Sequence, residues 1–307
     1  KKIIKLKILI IDTYYERFLK NVYKNNVYLK NKSYEDQKKY LLSKFFGTSD
    51  SYSKYLNDLN FTADDLIVNC SHLQSKWAKE NKIRIFKFVI HPRFYKLPFI
   101  GNFLGNFPTL GDIAEKQIIK LKPDIIYCQN ISFFPPDFLK RIKSNTKLLV
   151  GQIACPLPPK PFILEYDLIL TSFPHFVNRL KKMGVNSEYF KIGFDERILS
   201  KIGNQNQSIN FSFVGSITRH HNKANPLIEY LVNNSDLKVY GHGSNNLKRN
   251  SVIRKNHYGE KWGLDFYKTI AKSKISLNRH INISENYANN MRLYEATGMG
   301  SLLLTDM

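Results

Sequence analysis

Lys201-Ile-Gly-Asn-Gln-Asn-Gln-Ser208, followed by Ile209-Asn-Phe-Ser-Phe-Val214 and the turn Gly215-Ser216, decides how this chain of 307 residues is organised. The first stretch is polar and has no period of 2 or 3.6, which reads as a linker. The second is an apolar, aromatic run of strand length closed by turn residues. Upstream the same grammar is already complete. Lys7-Ile-Leu-Ile-Ile-Asp12 is an unbroken aliphatic run, as expected of a strand buried on both faces. Further strands are expected at Leu66–Cys70 and over 83–90, 123–128, 147–153, 168–172 and 189–193, with helical patterns over 14–45, 52–59, 113–122 and 176–183. Downstream the alternation restarts, with helices over 225–233, 267–273 and 288–297 and strands over 237–240, 274–278 and 301–305. Strand and helix in alternation, joined by short connections, imply parallel sheets covered on both faces. The expected fold is therefore α/β, two tandem Rossmann-like domains with parallel sheets, split as 1–200 and 201–307. The second domain ends on a strand with no covering helix and the sequence begins without Met, so it is expected to be an incomplete domain of a longer polypeptide.

Composition narrows the class. Hydrophobic residues make up 43% and charged residues 23%, with 21 Phe and 18 Tyr, which excludes a mostly disordered chain. No apolar run approaches the roughly 20 residues that span a bilayer, and no signal peptide is read. Three scattered cysteines, Cys70, Cys128 and Cys155, are expected to be buried small hydrophobes in a reducing, cytoplasmic setting. The net charge of +22 comes from 47 basic and 25 acidic residues, spread over both halves, with a local cluster at Lys248, Arg249, Arg254 and Lys255. Spread charge fits a general attraction to polyanions, including peripheral contact with an anionic membrane face, and not specific nucleic-acid recognition.

In open parallel sheets ligands bind beyond the carboxyl ends of the strands. The residues there include Asp12, His72, Gln129, Gln152, Gly215, Ser216, Arg219, Gly241, His242, Arg279, His280 and Asp306. No HExxH, Walker A or GxSxG motif occurs, which disfavours metalloproteases, P-loop NTPases and α/β-hydrolases. Gly47-Thr-Ser-Asp50 precedes a helix, so Asp50 is either an N-cap or part of an anion site. Asn289-Asn-Met-Arg-Leu-Tyr-Glu-Ala-Thr-Gly-Met-Gly300 places Arg292 and Glu295 on one helix face. There Glu295 is either half of a surface ion pair or an acceptor for ribose hydroxyls. The adjacent His220 and His221 read as a loop. Phe133-Phe-Pro-Pro136 and Pro156-Leu-Pro-Pro159 read as rigid loops.

The segments Phe213-Val-Gly-Ser216, Gly263-Leu-Asp-Phe-Tyr-Lys268, Ser273-Lys-Ile-Ser-Leu-Asn278, Met291–Gly300 and Leu303-Leu-Thr-Asp306 together resemble the donor-binding half of GT-B glycosyltransferases of the CgeB-like group. In the first half, Asp12-Thr-Tyr-Tyr15, Phe46-Gly-Thr-Ser-Asp50 and Gly193-Phe-Asp195 sit where that family has its strand-end and hinge motifs. The resemblance implies a nucleotide-sugar donor in an interdomain cleft, no obligatory metal or other cofactor, and a glycan, lipid-linked saccharide or protein acceptor. It implies that Glu295 holds the donor ribose and that Gly215 and Ser216 lie by the diphosphate. Arg219 and Arg292 would meet the leaving group, with Gly241, Arg279, Asn289 and Asn290 beside them. Many retaining members carry a second Glu eight positions before the matching one. Here that position is Tyr287, and Glu285 is out of phase, so a retaining mechanism does not transfer. A base on the acceptor side is then required, and Asp12, Asp50 and His72 are the candidates. Two other readings stay open: a non-catalytic polyanion- or nucleic-acid-binding protein, and a nucleotide-sugar epimerase of GT-B type.

Overall fold

A computed structural model describes residues 5–84, 109–217, 225–285 and 287–306. The strand expected over 83–90 falls almost entirely outside them, as do Arg219, His220 and His221. The chain forms two compact units, Lys1–Phe190 and Lys191–Met307.

Among the described residues the first unit holds a six-stranded sheet. Its strands are β1 (Lys7–Asp12), β2 (Thr62–Ile67), β3 (Ile125–Cys128), β4 (Leu148–Ile153), β5 (Leu168–Thr171) and β6 (Ser187–Tyr189), in the order β2-β1-β3-β4-β5-β6. Every pairing is parallel. The order reverses at β1, which is flanked by β2 and β3, so the crevice for a ligand opens at the carboxyl ends of β1 and β3. The helices are α1 (Glu16–Asn25), α2 (Tyr34–Leu42), α3 (Ser51–Asp58), α4 (Ser71–Glu80), α5 (Leu110–Leu121), α6 (Pro136–Lys143) and α7 (Pro174–Lys182). On one sheet face Ile8, Ile10, Tyr127 and Val150 form a core that Tyr52 and Leu56 of α3 cover. Thr109 and Asp112 close a reciprocal capping box at the start of α5.

The second unit starts earlier than the polar linker suggests. α8 (Arg197–Ile202) runs into that stretch and packs against α11 (Leu264–Ala271). Ile198 and Ile202 are buried on that side, an i, i+4 signal that the surrounding polar residues hide. The sheet contains β7 (Ile209–Val214), β8 (Lys238–Tyr240), β9 (Ser273–Leu277) and β10 (Leu302–Leu304), all parallel, in the order β10-β9-β7-β8. α9 (Asn225–Asn234), α10 (Val252–Lys255) and α12 (Met291–Gly298) complete the unit. Phe211, Ile217, Ile228, Val232, Leu237, Val239, Ile253 and Leu277 make its core.

Other expectations shift in place. The strand expected at Leu66–Cys70 is Thr62–Ile67, because Cys70 becomes the N-cap position of α4. The strand expected over 189–193 ends at Tyr189. Pro135-Pro136 opens helix α6, where a proline at N1 loses no hydrogen bond. Cys70 and Cys128 are buried, but Cys155 is exposed, since it follows β4 in a loop.

Asp65 gives the first testable consequence. It is 6% exposed and accepts a hydrogen bond from the Ser53 hydroxyl. Burial pushes its pKa up to about 7, with nearby Asp64 and Asp50 adding to the rise and Lys38 and the Ser53 bond opposing it. The folded state therefore holds this proton more tightly than the unfolded chain, so the group destabilises the fold as pH climbs from about 4 to about 7. Asp65→Asn is expected to raise stability at pH 8 by roughly 2–4 kcal/mol and to change it little at pH 4, as read from urea melts.

Candidate functional site

Four strand ends of the second sheet lie side by side. Val214 pairs with Tyr240, so Gly215 is level with Gly241. Ser212 pairs with Ser276, so Val214 is level with Asn278. Leu304 pairs with Leu277, so Thr305 is also level with Asn278. The Gly215 amide donates to the Tyr240 carbonyl at 3.0 Å and the Ile217 amide to the His242 carbonyl at 2.8 Å, which locks the turn after β7 onto the loop after β8. Gly241 has φ +124°, and a Cβ there would lie 1.8 Å from the Gly215 carbonyl oxygen. Only glycine allows these two backbones to press together. Ser216 Oγ lies 3.1 Å from His242 Nδ1, and the His242 ring stacks on Trp262 at 5.3 Å. The sequence places both Ser216 and His242 at strand ends, whereas Trp262 follows no motif and carries no such signal.

α12 begins on the same strand ends. Its N-cap residue Asn290 donates from Nδ2 to Asn278 Oδ1 at 2.6 Å, and Asn278 in turn donates to Thr305 Oγ1 at 2.9 Å. The turn at 215–216 and the 289–295 segment thus meet the same sheet edge. Arg279 Nη1 is 2.7 Å from Asp306 Oδ2. Burial alone would raise the Asp306 pKa, but bonds from the His280 amide and ring and the Arg279 charge outweigh it and hold the carboxyl low.

Arg292 and Glu295 do not form the surface pair that was one reading of their spacing. Their side chains are 17% and 12% exposed, with Nη1 and Oε2 3.7 Å apart. The Arg292 guanidinium lies over the Phe266 ring at 4.3 Å, and Tyr267 donates to Glu295 Oε1 at 3.3 Å. Burial raises the Glu295 pKa, against the pull of Arg292 and Tyr267. Burial also lowers the Arg292 pKa, opposed by Glu295. The helix carrying this group is braced from behind. Phe194 of the Gly193-Phe-Asp195 motif lies so close to Gly298 that a Cβ there would meet its ring at 2.8 Å. The motif therefore supports the second unit. Of the basic cluster, Lys248, Arg249 and Lys255 are exposed, and Arg254 is half-buried.

The first unit has its own polar group at the carboxyl ends of β1, β3 and β4. Asp12 follows Ile8 and Ile10 along one face of β1, and so lies on the side that α3 covers. The Thr13 amide donates to Asp12 Oδ1 at 2.6 Å. Burial pushes the Asp12 pKa up to about 7, partly offset by that amide. Tyr127 and Tyr52 both donate to Gln152 Oε1, the latter at 3.5 Å, and their rings meet at 5.4 Å. Thr48 Oγ1 donates to Gln129 Oε1 at 2.7 Å, and Asn130 Nδ2 to Thr13 Oγ1 at 2.9 Å. Asp50 takes the N-cap position of α3, but its side chain makes no cap bond. His72 is the second residue of α4, largely exposed, with its ring against Tyr23 at 4.5 Å. The structure therefore gathers Asp12, Thr48, Gln129 and Gln152 and leaves His72 apart. Gln129 and Gln152 stand at the strand ends where the sequence places them, although no motif gives either a role.

Among the described residues no helix is long and apolar enough to cross a membrane. No curated protein matches the sequence. Residues 197–307 match a family model described as glycosyl transferase-like. A glycosyltransferase from Rickettsia africae aligns over 98% of this chain and 79% of its own, with 14% identity and a TM-score of 0.50. Anabaena HepE, solved in complex with UDP and glucose, aligns over 97% and 80%, with 11% identity and a TM-score of 0.51. A putative UDP-N-acetylglucosamine 2-epimerase from Listeria monocytogenes aligns over 98% and 79%, with 12% identity and a TM-score of 0.46. The chain has a GT-B-like fold of two Rossmann-type parallel sheets, and its residues 197–307 are similar to the glycosyl transferase-like family.

Proposed function

We propose that this protein is a GT-B glycosyltransferase, of the CgeB-like group its C-terminal motifs resemble, which moves a sugar from a nucleotide-sugar donor to an acceptor hydroxyl. One observation carries the reading: the bond from Asn290 to Asn278 seats the start of α12 on the strand ends that also bear Gly215 and Ser216. A glycine turn and a helix start at one sheet edge offer backbone amides and a positive dipole end to a diphosphate. The family match over this unit supports a donor bound here. The UDP and glucose of the Anabaena neighbour motivate a nucleoside-diphosphate sugar as donor.

In this reading the amides around Gly215, Ser216 and Gly241 take the diphosphate, with Asn289 beside it. Glu295 accepts the ribose hydroxyls, with its carboxylate aligned by Arg292 and Tyr267. The bond from the anomeric carbon to the diphosphate oxygen breaks as the bond to the acceptor oxygen forms. The acceptor proton passes to Asp12, and the departing charge is met by helix amides and cationic side chains without a metal. The acceptor is a glycan, a lipid-linked saccharide or a protein. The basic surface favours acidic acceptors and peripheral contact with an anionic membrane face, in a cytoplasmic setting.

A thermal-shift panel of UDP, GDP, TDP and CMP with their sugars tests the donor site. One nucleotide is expected to stabilise the protein, by about 2.7 kcal/mol at a hundredfold excess over its Kd, and Glu295→Ala is expected to abolish the shift. No shift with any nucleotide would overturn the reading. Product formed without an added acceptor would instead indicate an epimerase.

A further inference from the structure

Among the buried polar atoms at the ends of β9 and β10, two acceptors have no hydrogen-bond partner among the described residues: His280 Nε2 and Asn290 Oδ1. The His280 side chain is 10% exposed. Its Nδ1 lies 2.8 Å from Asp306 Oδ1, and its amide donates to the same oxygen at 3.1 Å. Asn290 Nδ2 faces two acceptors, Asn278 Oδ1 at 2.6 Å and the Arg279 carbonyl at 3.5 Å. Those two fix which end of the amide is nitrogen, so the oxygen is the end left over.

Charge decides what these atoms can bind. The Asp306 carboxylate already has a cation in Arg279 at 2.7 Å. In the tautomer whose Nδ1–H donates to that carboxylate, the lone pair is on Nε2. Two buried acceptors with nothing to accept are unfavourable until a ligand supplies donors. A phosphate oxygen supplies none and would face two lone pairs. A sugar hydroxyl supplies one for each.

We propose that His280 Nε2 and Asn290 Oδ1 accept hydrogen bonds from hydroxyl groups of the donor's sugar, with Asp306 as the positioning residue that sets the ring. The inference rests on the donor-site reading of the second unit and assigns the sugar to this corner of it, apart from the diphosphate.

Calorimetric titration of the full chain with UDP against UDP-glucose, and GDP against GDP-mannose, separates the two ideas. His280→Phe is expected to bind the nucleoside diphosphate within about twofold of the unaltered protein and to lose about tenfold or more in affinity for the sugar form, the factor of one lost hydrogen bond. His280→Gln, whose amide oxygen can reach the place of Nε2, is expected to recover most of that loss. A second arm leaves the protein unaltered and keeps the test open if the Phe variant unfolds: of deoxy forms of the nucleotide sugar, each lacking one sugar hydroxyl, at least one is expected to bind about tenfold more weakly than the parent, and equal binding of all of them would overturn the assignment. A fall in diphosphate affinity in His280→Phe would mean an imidazolium on the phosphate and would overturn the assignment. Unchanged affinity for both ligands would overturn it as well. Failure of the unaltered protein to bind any of the four would overturn the donor-site reading itself.

Discussion

Asp12→Asn is expected to lower kcat for glycosyl transfer by about 10²–10⁴-fold, the usual contribution of a positioned general base. Three features of the first unit favour Asp12 as the base of the proposed reaction. Asp12 stands at the carboxyl end of β1, where the strand order reverses and a cleft must open. The Thr13 amide donates to Oδ1, which leaves Oδ2 to take a proton. Burial pushes its pKa up to about 7, which matches the base to neutral pH. The unaltered enzyme should therefore gain activity as pH rises through about 7, and Asp12→Asn should lose that limb. The substitution keeps the shape of the side chain and removes a charge that burial disfavours. Its thermal midpoint at pH 8 should thus not fall, which separates a catalytic loss from unfolding. A variant that keeps its rate would move the base to Asp50 or His72.

The sequence carried the sheets further than it carried the site. β1 and β7 coincide with their expected limits because Lys7–Asp12 and Ile209–Val214 are apolar runs ended by polar or glycine residues. Short edge strands were less legible. β6, Ser187–Tyr189, has two exposed residues of three, so no apolar run marks it. α8 was hidden by its polar neighbours, although burying Ile198 and Ile202 is what ties it to the second unit. At the site, spacing placed Arg292 and Glu295 on one face but could not tell a solvated pair from a buried one. That distinction comes from Phe266 and Tyr267, which arrive from α11. The same holds for Asp12. Its position at a strand end was readable, while the raised pKa depends on burial assembled from distant segments.

Gly241→Ala is expected to cost on the order of 5 kcal/mol, enough to unfold a domain of ordinary stability. Two penalties add. The residue sits at φ +124°, a conformation that is costly for any side chain bearing a Cβ. The new methyl would also lie 1.8 Å from the Gly215 carbonyl oxygen, and that atom is backbone that cannot rotate away. Relief would require the loop after β8 to part from the turn after β7, breaking the bonds from the Gly215 amide to Tyr240 and from the Ile217 amide to His242. Those bonds hold the turn by which Gly215 and Ser216 would meet a diphosphate, so stability and donor binding should fall together. Gly259 is the control. It also has positive φ, at +89°, but a Cβ there meets nothing within 4 Å, so Gly259→Ala should pay only the conformational strain, about 1–3 kcal/mol. Urea unfolding followed by circular dichroism compares the two variants. An equal loss would show that the close approach of Gly215 and Gly241 adds nothing beyond backbone strain, and the glycine-lined floor of the donor site would lose its physical basis.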